Sequence, residues 1–180
     1  MSRTGWVLAG GASRRMGRDK ALLPLGKTTM VQEIAAKVRK AAGSVTLIGP
    51  VERYGHLGLP VIPDAVENCG PLGGLYTALL NTKFEWNLLV ACDMPDLTES
   101  FLEQLVLEAE GDCTVPEFDG RLDPLCAVYH RRVLPFAESA IQRKLFKMQE
   151  FVSTLRIHKW SVPDARLLHN MNTPADWSAR

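Results

Sequence analysis

The chain has 180 residues, nearly balanced charge (21 Lys and Arg against 20 Asp and Glu, formal net +1) and 46% hydrophobic residues. That make-up fits one globular domain over residues 1–180, long enough to bury a core without disulfides. The even charge, and the lack of any run of about 18 apolar residues, argue against nucleic-acid and membrane partners.

Trp6-Val7-Leu8 reads as a first strand, and it runs straight into Leu8-Ala9-Gly10-Gly11-Ala12-Ser13-Arg14-Arg15-Met16-Gly17-Arg18-Asp19-Lys20. Three glycines free the backbone there, so that successive N–H groups can point at one anion. Arg14, Arg15, Arg18 and Lys20 add cations, a combination suited to a polyphosphate. A solvated basic loop would carry the same charges, but glycines placed directly after a strand favour phosphate. Gly10-Gly11 are adjacent and the next glycine is Gly17, so the dinucleotide pattern G-x-G-x-x-G is absent. Gly26-Lys27-Thr28 is a near miss to a P-loop, but Ala21 replaces the first glycine and Pro24 offers no N–H. Gly26-Lys27 is expected to open a helix instead.

The apolar spacing predicts a helix over 31–42, with Thr29 and Gln32 as a capping box and Gly43 as its stop. Strands are predicted at 45–48 and 59–62, and Pro71 opens a second helix through about residue 80. The apolar run 87–92 reads as a strand covered on both faces. Thr98 starts a third helix with Phe101, Leu102, Leu105 and Val106 as its core stripe. Further strands are expected at 113–115 and 126–129, a mostly helical stretch over 133–155, and a late strand at 156–160. This alternation predicts an α/β fold with a mainly parallel sheet and helices on both faces. Ligands of such sheets bind beyond the carboxyl ends of strands. The glycine loop, Asp64 and Asp93 all follow strands in that way.

Asp93, in Cys92-Asp93-Met94-Pro95, would by itself read as a turn residue or helix cap. Beside a phosphate loop it is a candidate ligand for Mg²⁺, which needs few protein carboxylates when phosphates complete its shell. Gly70, Gly73 and Gly74 form a second glycine cluster, either a plain helix entrance or a place where a ligand approaches backbone. Asn170 and Asn172 could bind a polar ligand; a cap or turn explains them equally well. Arg121-Leu122-Asp123-Pro124-Leu125 alone reads as a surface turn. The four cysteines lack C-x-x-C spacing and the four histidines lack metal-ligand spacing. No secretory leader is recognisable, so the cytoplasm is the expected location.

Together these motifs resemble the molybdenum cofactor guanylyltransferase family: Leu8-Ala9-Gly10-Gly11 with Arg15-Met16-Gly17, Asp19-Lys20, Leu22-Leu23-Pro24-Leu25-Gly26, Val61-Ile62-Pro63-Asp64, Gly70-Pro71-Leu72-Gly73-Gly74, Cys92-Asp93-Met94-Pro95 and Asn170-Met171-Asn172-Thr173-Pro174. One departure is that Arg18 alone separates Gly17 from Asp19, where many members carry a further residue. The resemblance implies a Rossmann-like nucleotidyltransferase fold, Mg²⁺ as cofactor, and GTP and molybdenum-bound molybdopterin as substrates. The implied reaction transfers GMP to the terminal phosphate of the pterin and releases pyrophosphate. Leu8, Ala9, Gly10, Lys20 and Asp64 would contact GTP, and Asp93 would bind both GTP and Mg²⁺. Gly11 belongs to the same nucleotide loop, and Asn170 and Asn172 match a segment beside the active site. The pterin-binding surface is expected in the second half, near Arg121, Asp123 and that asparagine motif.

An in-line attack of the pterin phosphate on the α-phosphorus asks the protein for positioning and charge stabilisation. Arg15, Lys20 and Asp93 are the candidate catalytic residues. The nearest rival is a cytidylyltransferase, or a transferase acting on sugar or cobamide phosphates. Ala9-Gly10-Gly11 stands where cytidylyl relatives typically have Ala-Ala-Gly, which favours GTP. A non-catalytic nucleotide-binding regulator is the rival of another class; it should have lost Asp93 or Lys20, and both are present. Apo-enzymes that receive the finished cofactor are kept as candidate partners, with no motif for or against them.

Overall fold

The computed structural model describes residues 2–9 and 19–168. In chain order it has β1 (Arg3–Leu8), a 3-10 turn (Lys20–Leu22), β2 (Pro24–Leu25), β3 (Thr28–Thr29), α1 (Met30–Ala42), β4 (Val45–Ile48), α2 (Val51–Tyr54), β5 (Val61–Ile62), α3 (Gly70–Asn81) and β6 (Trp86–Ala91). It continues with α4 (Glu99–Leu107), β7 (Cys113–Phe118), β8 (Arg121–Leu122), β9 (Cys126–His130), α5 (Leu134–Gln142), α6 (Met148–Val152) and β10 (Ile157–Ser161).

The main sheet runs β10-β7-β9-β6-β1-β4-β5, with β8 paired to β7. β6, β1, β4 and β5 are mutually parallel, as β7 and β10 are to each other. β9 runs antiparallel to both β6 and β7. The expected mainly parallel sheet is therefore present, with one reversed strand at its centre. Alternate side chains of a strand face opposite sides, and β6 divides its residues accordingly. Leu88 and Val90 join a core with Ile34 and Val38 of α1 and Leu102 and Leu105 of α4. Leu89 joins a second core with Leu72 and Leu75 of α3, Ala137 of α5 and Phe151 of α6. Helices thus cover both faces. α1 lies so close to β1 that a Cβ at Gly5 would overlap Val38 and press within 2.9 Å of the Ser44 carbonyl oxygen. Among the described residues no helix is long and apolar enough to cross a membrane.

The predicted start and stop of α1 are both found. The Gln32 carboxamide accepts from the Thr29 backbone N–H at 3.0 Å, and Gly43 closes the helix in the left-handed region at φ +82°. Gly26-Lys27 does not open a helix. It is the turn of the β2–β3 hairpin, with Gly26 at φ +67°, and α1 begins only at Met30. The stretch 133–155 is not one helix but two. α5 ends at Arg143, where Lys144 adopts φ +59°, its N–H reaching the Ile141 carbonyl and the Leu145 N–H reaching the Ala140 carbonyl. This is a Schellman ending with lysine in the place that glycine usually takes.

A side chain in that conformation is strained by roughly 1–2 kcal/mol, while glycine loses about 0.5–1 kcal/mol of unfolded-state freedom. Lys144→Gly is expected to stabilise the protein by about 0.5 kcal/mol in urea unfolding. A lower midpoint for the variant would contradict the backbone assignment at residue 144.

Candidate active site

The parallel strands end in register. Leu8 of β1 stands opposite Ile48 of β4 and Ala91 of β6. The ladder continues one step past the strands, with Ala9 N donating to Ile48 O at 2.9 Å and Cys92 N to Leu8 O at 3.1 Å. Leu8, Ala9, Asp64 and Asp93 therefore emerge along one edge of the sheet. Three strand spacings separate β6 from β5, so Asp64 follows a strand roughly 14 Å from the one that Asp93 follows. β9 runs against β6 and so brings its beginning to the same edge, where Leu125 O accepts from Ala91 N at 2.8 Å. Asp123, two residues earlier, arrives there too.

Asp93 is half-buried. Burial raises its carboxyl above the ordinary range, and the Lys20 ammonium and a backbone N–H draw it part of the way back. Asp123 is also raised, chiefly by burial and further by the Asp93 charge, against the Leu125 N–H that donates to its Oδ1 at 3.0 Å. Lys20, Asp93 and Asp123 thus share one electrostatic neighbourhood. Burial and the nearby Asp93 and Asp19 charges push the Cys92 thiol up to about 12, so it stays protonated and is no thiolate nucleophile. The loop after Asp93 is held from α1, where Lys37 Nζ donates to Pro95 O at 3.1 Å.

Lys20 opens the 3-10 turn that follows Asp19. Asp19 Oδ1 accepts from Ala21 N at 3.1 Å, while its Oδ2 accepts from the Tyr54 hydroxyl at 2.9 Å and from Arg53 at 3.4 Å. Tyr54 OH also donates to Ala9 O. The loop after Asp64 is pinned to α3 through Thr77, whose Oγ1 accepts from Ala65 N at 2.9 Å.

Gly70, Gly73 and Gly74 form the first turn of α3. Gly70 is exposed, at φ +57°, with open space where a Cβ would stand. Gly73 and Gly74 are buried: a Cβ at Gly73 would crowd Cys69 and Val66, and one at Gly74 would overlap Leu8. The absence of a side chain at Gly74 lets α3 rest on the end of β1. Gly10, Gly11, Arg15, Asn170 and Asn172 lie outside the described residues.

A half-buried, under-compensated carboxylate within the field of a lysine, at the carboxyl edge of a parallel sheet, can hold a hard cation and a phosphate chain. Among the described residues no three His, Cys, Asp or Glu side chains group to hold a metal. An ion on Asp93 would therefore take most of its ligands from phosphate oxygens and water, as Mg²⁺ readily does.

Residues 5–157 match the MobA-like NTP transferase domain. The chain belongs to that family. A probable molybdenum cofactor guanylyltransferase of Pelotomaculum thermopropionicum is 36% identical, over 98% of this chain and 90% of the relative. Another relative so named, from a Nostoc species, is 35% identical, over 96% and 87%. Among solved structures, a molybdopterin-guanine dinucleotide biosynthesis protein A from Archaeoglobus fulgidus superposes with a TM-score of 0.83 at 23% identity, covering 98% of this chain and 95% of that one. A 2-C-methyl-D-erythritol 4-phosphate cytidylyltransferase from Thermus thermophilus superposes at 0.73 with 15% identity, over 99% and 96%. At those identities the superpositions speak for the fold, and membership in the family makes the protein a nucleotidyltransferase.

Two parts of the site lacked a sequence signal. Tyr54 follows a strand as an ordinary helix residue, and Lys37 is one of several polar positions on α1. The link between Lys20 and Asp93 is directly measurable. Asp93 should titrate above an ordinary carboxylate, and Lys20→Ala should raise it further, because a cation that favours the ionised form is gone. Ligand binding that needs ionised Asp93 will then fail as pH falls, beginning at a higher pH in the variant. A carboxyl NMR titration unmoved by Lys20→Ala would separate the two groups.

Proposed function

We propose that the protein transfers GMP from GTP to the terminal phosphate of molybdenum-bound molybdopterin, forming the guanine dinucleotide cofactor and releasing pyrophosphate. The observation that carries this reading is that Lys20 bears electrostatically on Asp93, at the edge where Leu8 and Ala9 end β1. Relatives matching nearly the whole chain are named probable molybdenum cofactor guanylyltransferases, which supports the choice of GTP and of a molybdenum cofactor acceptor.

In this reading Lys20, together with Gly10, Gly11 and Arg15 of the preceding loop, holds the triphosphate. Leu8, Ala9 and Asp64 line the nucleoside side. Asp93 holds Mg²⁺, which supplies charge neutralisation at the α-phosphate and the leaving group. The acceptor phosphate is already anionic and needs no general base. The residues therefore act by alignment and by fixed charge rather than by proton transfer. Asp123 borders the place where the acceptor would approach, and Asn170, Asn172 and the exposed α3 entrance at Gly70 are assigned to substrate, while the buried Gly73 and Gly74 serve packing.

Turnover with GTP, Mg²⁺ and molybdopterin should fall roughly 100-fold or more in Asp93→Ala and in Lys20→Ala, the scale of losing one preorganised stabilising group. Pyrophosphate release in a competition of GTP against CTP should follow GTP. Near-normal turnover by either purified variant, or a preference for CTP, would overturn the assignment.

A further inference from the structure

We infer that Tyr54 is a positioning residue for nucleotide binding: its hydroxyl joins Ala9, where β1 ends, to Asp19, which heads the turn carrying Lys20, and so fixes where Lys20 stands. The inference rests on the proposed nucleotide site and extends it to a residue that touches no reacting atom.

The geometry is specific. Tyr54 is 1% exposed, and its ring belongs to the core shared with Val31, Ile34 and Leu47. Its hydroxyl points at two acceptors, the Ala9 carbonyl oxygen and Asp19 Oδ2, the latter at 2.9 Å. A phenol has one proton, so the two acceptors share it in a three-centre bond that draws both toward the same atom. Burial and the Asp19 carboxylate keep the phenol protonated far above its ordinary range, so the donor persists at any working pH.

Each acceptor is in turn anchored. The Ala9 N–H donates to Ile48 O at 2.9 Å, which ties it to the sheet. Asp19 caps the turn through Ala21 N at 3.1 Å, and its carbonyl accepts from Leu22 N at 3.1 Å. Leu23 N donates to Lys20 O at 3.1 Å. The turn is thus a small rigid piece, and the Tyr54 hydroxyl links it directly to the end of β1. Arg53 adds a longer, more exposed contact to the same carboxylate. Displacing a group by about 1 Å can cost two orders of magnitude when it must meet a ligand, so a link acting through Lys20 has functional weight.

Tyr54→Phe keeps the ring and removes only the donor. The test measures Mg²⁺–GTP affinity by calorimetry in the wild type, Tyr54→Phe, Lys20→Ala and the double variant. Amide exchange at Leu22 and Leu23 is followed in the nucleotide-free proteins. Tyr54→Phe should weaken Mg²⁺–GTP about fivefold, the scale of one net hydrogen bond, and less than twofold when Lys20 is already alanine. Exchange at Leu22 and Leu23 should quicken while that of Leu89 in β6 is unchanged. Equal weakening in both backgrounds, or unaltered exchange at Leu22 and Leu23, overturns the inference. If Tyr54→Phe does not fold, Asp19→Ser replaces it, since a serine can still cap Ala21 but is too short to reach Tyr54, and the same outcomes apply. Wild-type protein that fails to bind Mg²⁺–GTP overturns the proposed function, while the exchange result still decides whether Tyr54 holds the turn.

Discussion

Register between parallel strands governs this molecule. Leu8 is flanked by Ile48 and Ala91, so β4, β1 and β6 stop within one residue of each other. Neighbouring strands lie about 4.8 Å apart, and residues leaving adjacent strands in step are held close by the backbone itself. Ala9 and Cys92 each add one more ladder bond before the chain turns away. The position of Asp93 relative to β1 is therefore set first by main-chain hydrogen bonds, with Lys37 Nζ holding the loop that follows. Slippage of β6 by one residue would exchange its two faces and move the carboxylate out of place together.

Asp112 and the half-buried Asp93 show the same residue type in two opposite electrostatic settings. Asp112, just before β7, is 5% exposed. It accepts from Arg156 at 3.0 Å and from Arg132 at 2.9 Å, and hydrogen bonding to Arg156 leads the effects that hold its carboxyl well below the usual range. Its charge is already matched, and the group ties the start of β7 to the start of β10. Asp93 is raised by burial, and Lys20 offsets only part of that cost. A charge buried with incomplete compensation retains affinity for a cation from outside, which is why perturbed carboxylates gather where ligands bind.

Much of this was legible in the sequence where local chemistry dictates structure. Thr29, Gln32 and Gly43 mark both ends of α1, and the apolar run around Leu88 to Val90 announces a strand covered on both faces. The carboxyl-edge placement of Ala9, Asp64 and Asp93 follows from the alternation of elements. Other features leave no local trace. The direction of β9 depends on pairing across the sheet, which an apolar run does not encode. The break after α5 is built on Lys144 in a conformation usually marked by glycine, so the sequence carries no stop signal. Gly74 could serve a ligand or a neighbour, and Leu8 beside it identifies the neighbour. Tyr54 meets Ala9 and Asp19 only because α2 folds back over the end of β1.

The reversal of β9 divides the work between two stretches of chain. The parallel half, β5, β4, β1 and β6, delivers strand ends to the shared edge, and their register is locked from one to the next. The other half delivers the approach to a strand, residues 123–125, which reaches β6 through β9 and through Leu125 O just before it, while β8 pairs with β7 alone. Residues 119–123, ahead of that bond, can change in length without altering the pairing of β1, β4, β5 and β6. In the proposed reading, the side facing the acceptor can then vary in sequence and length while the strand ends assigned to the nucleotide keep their register.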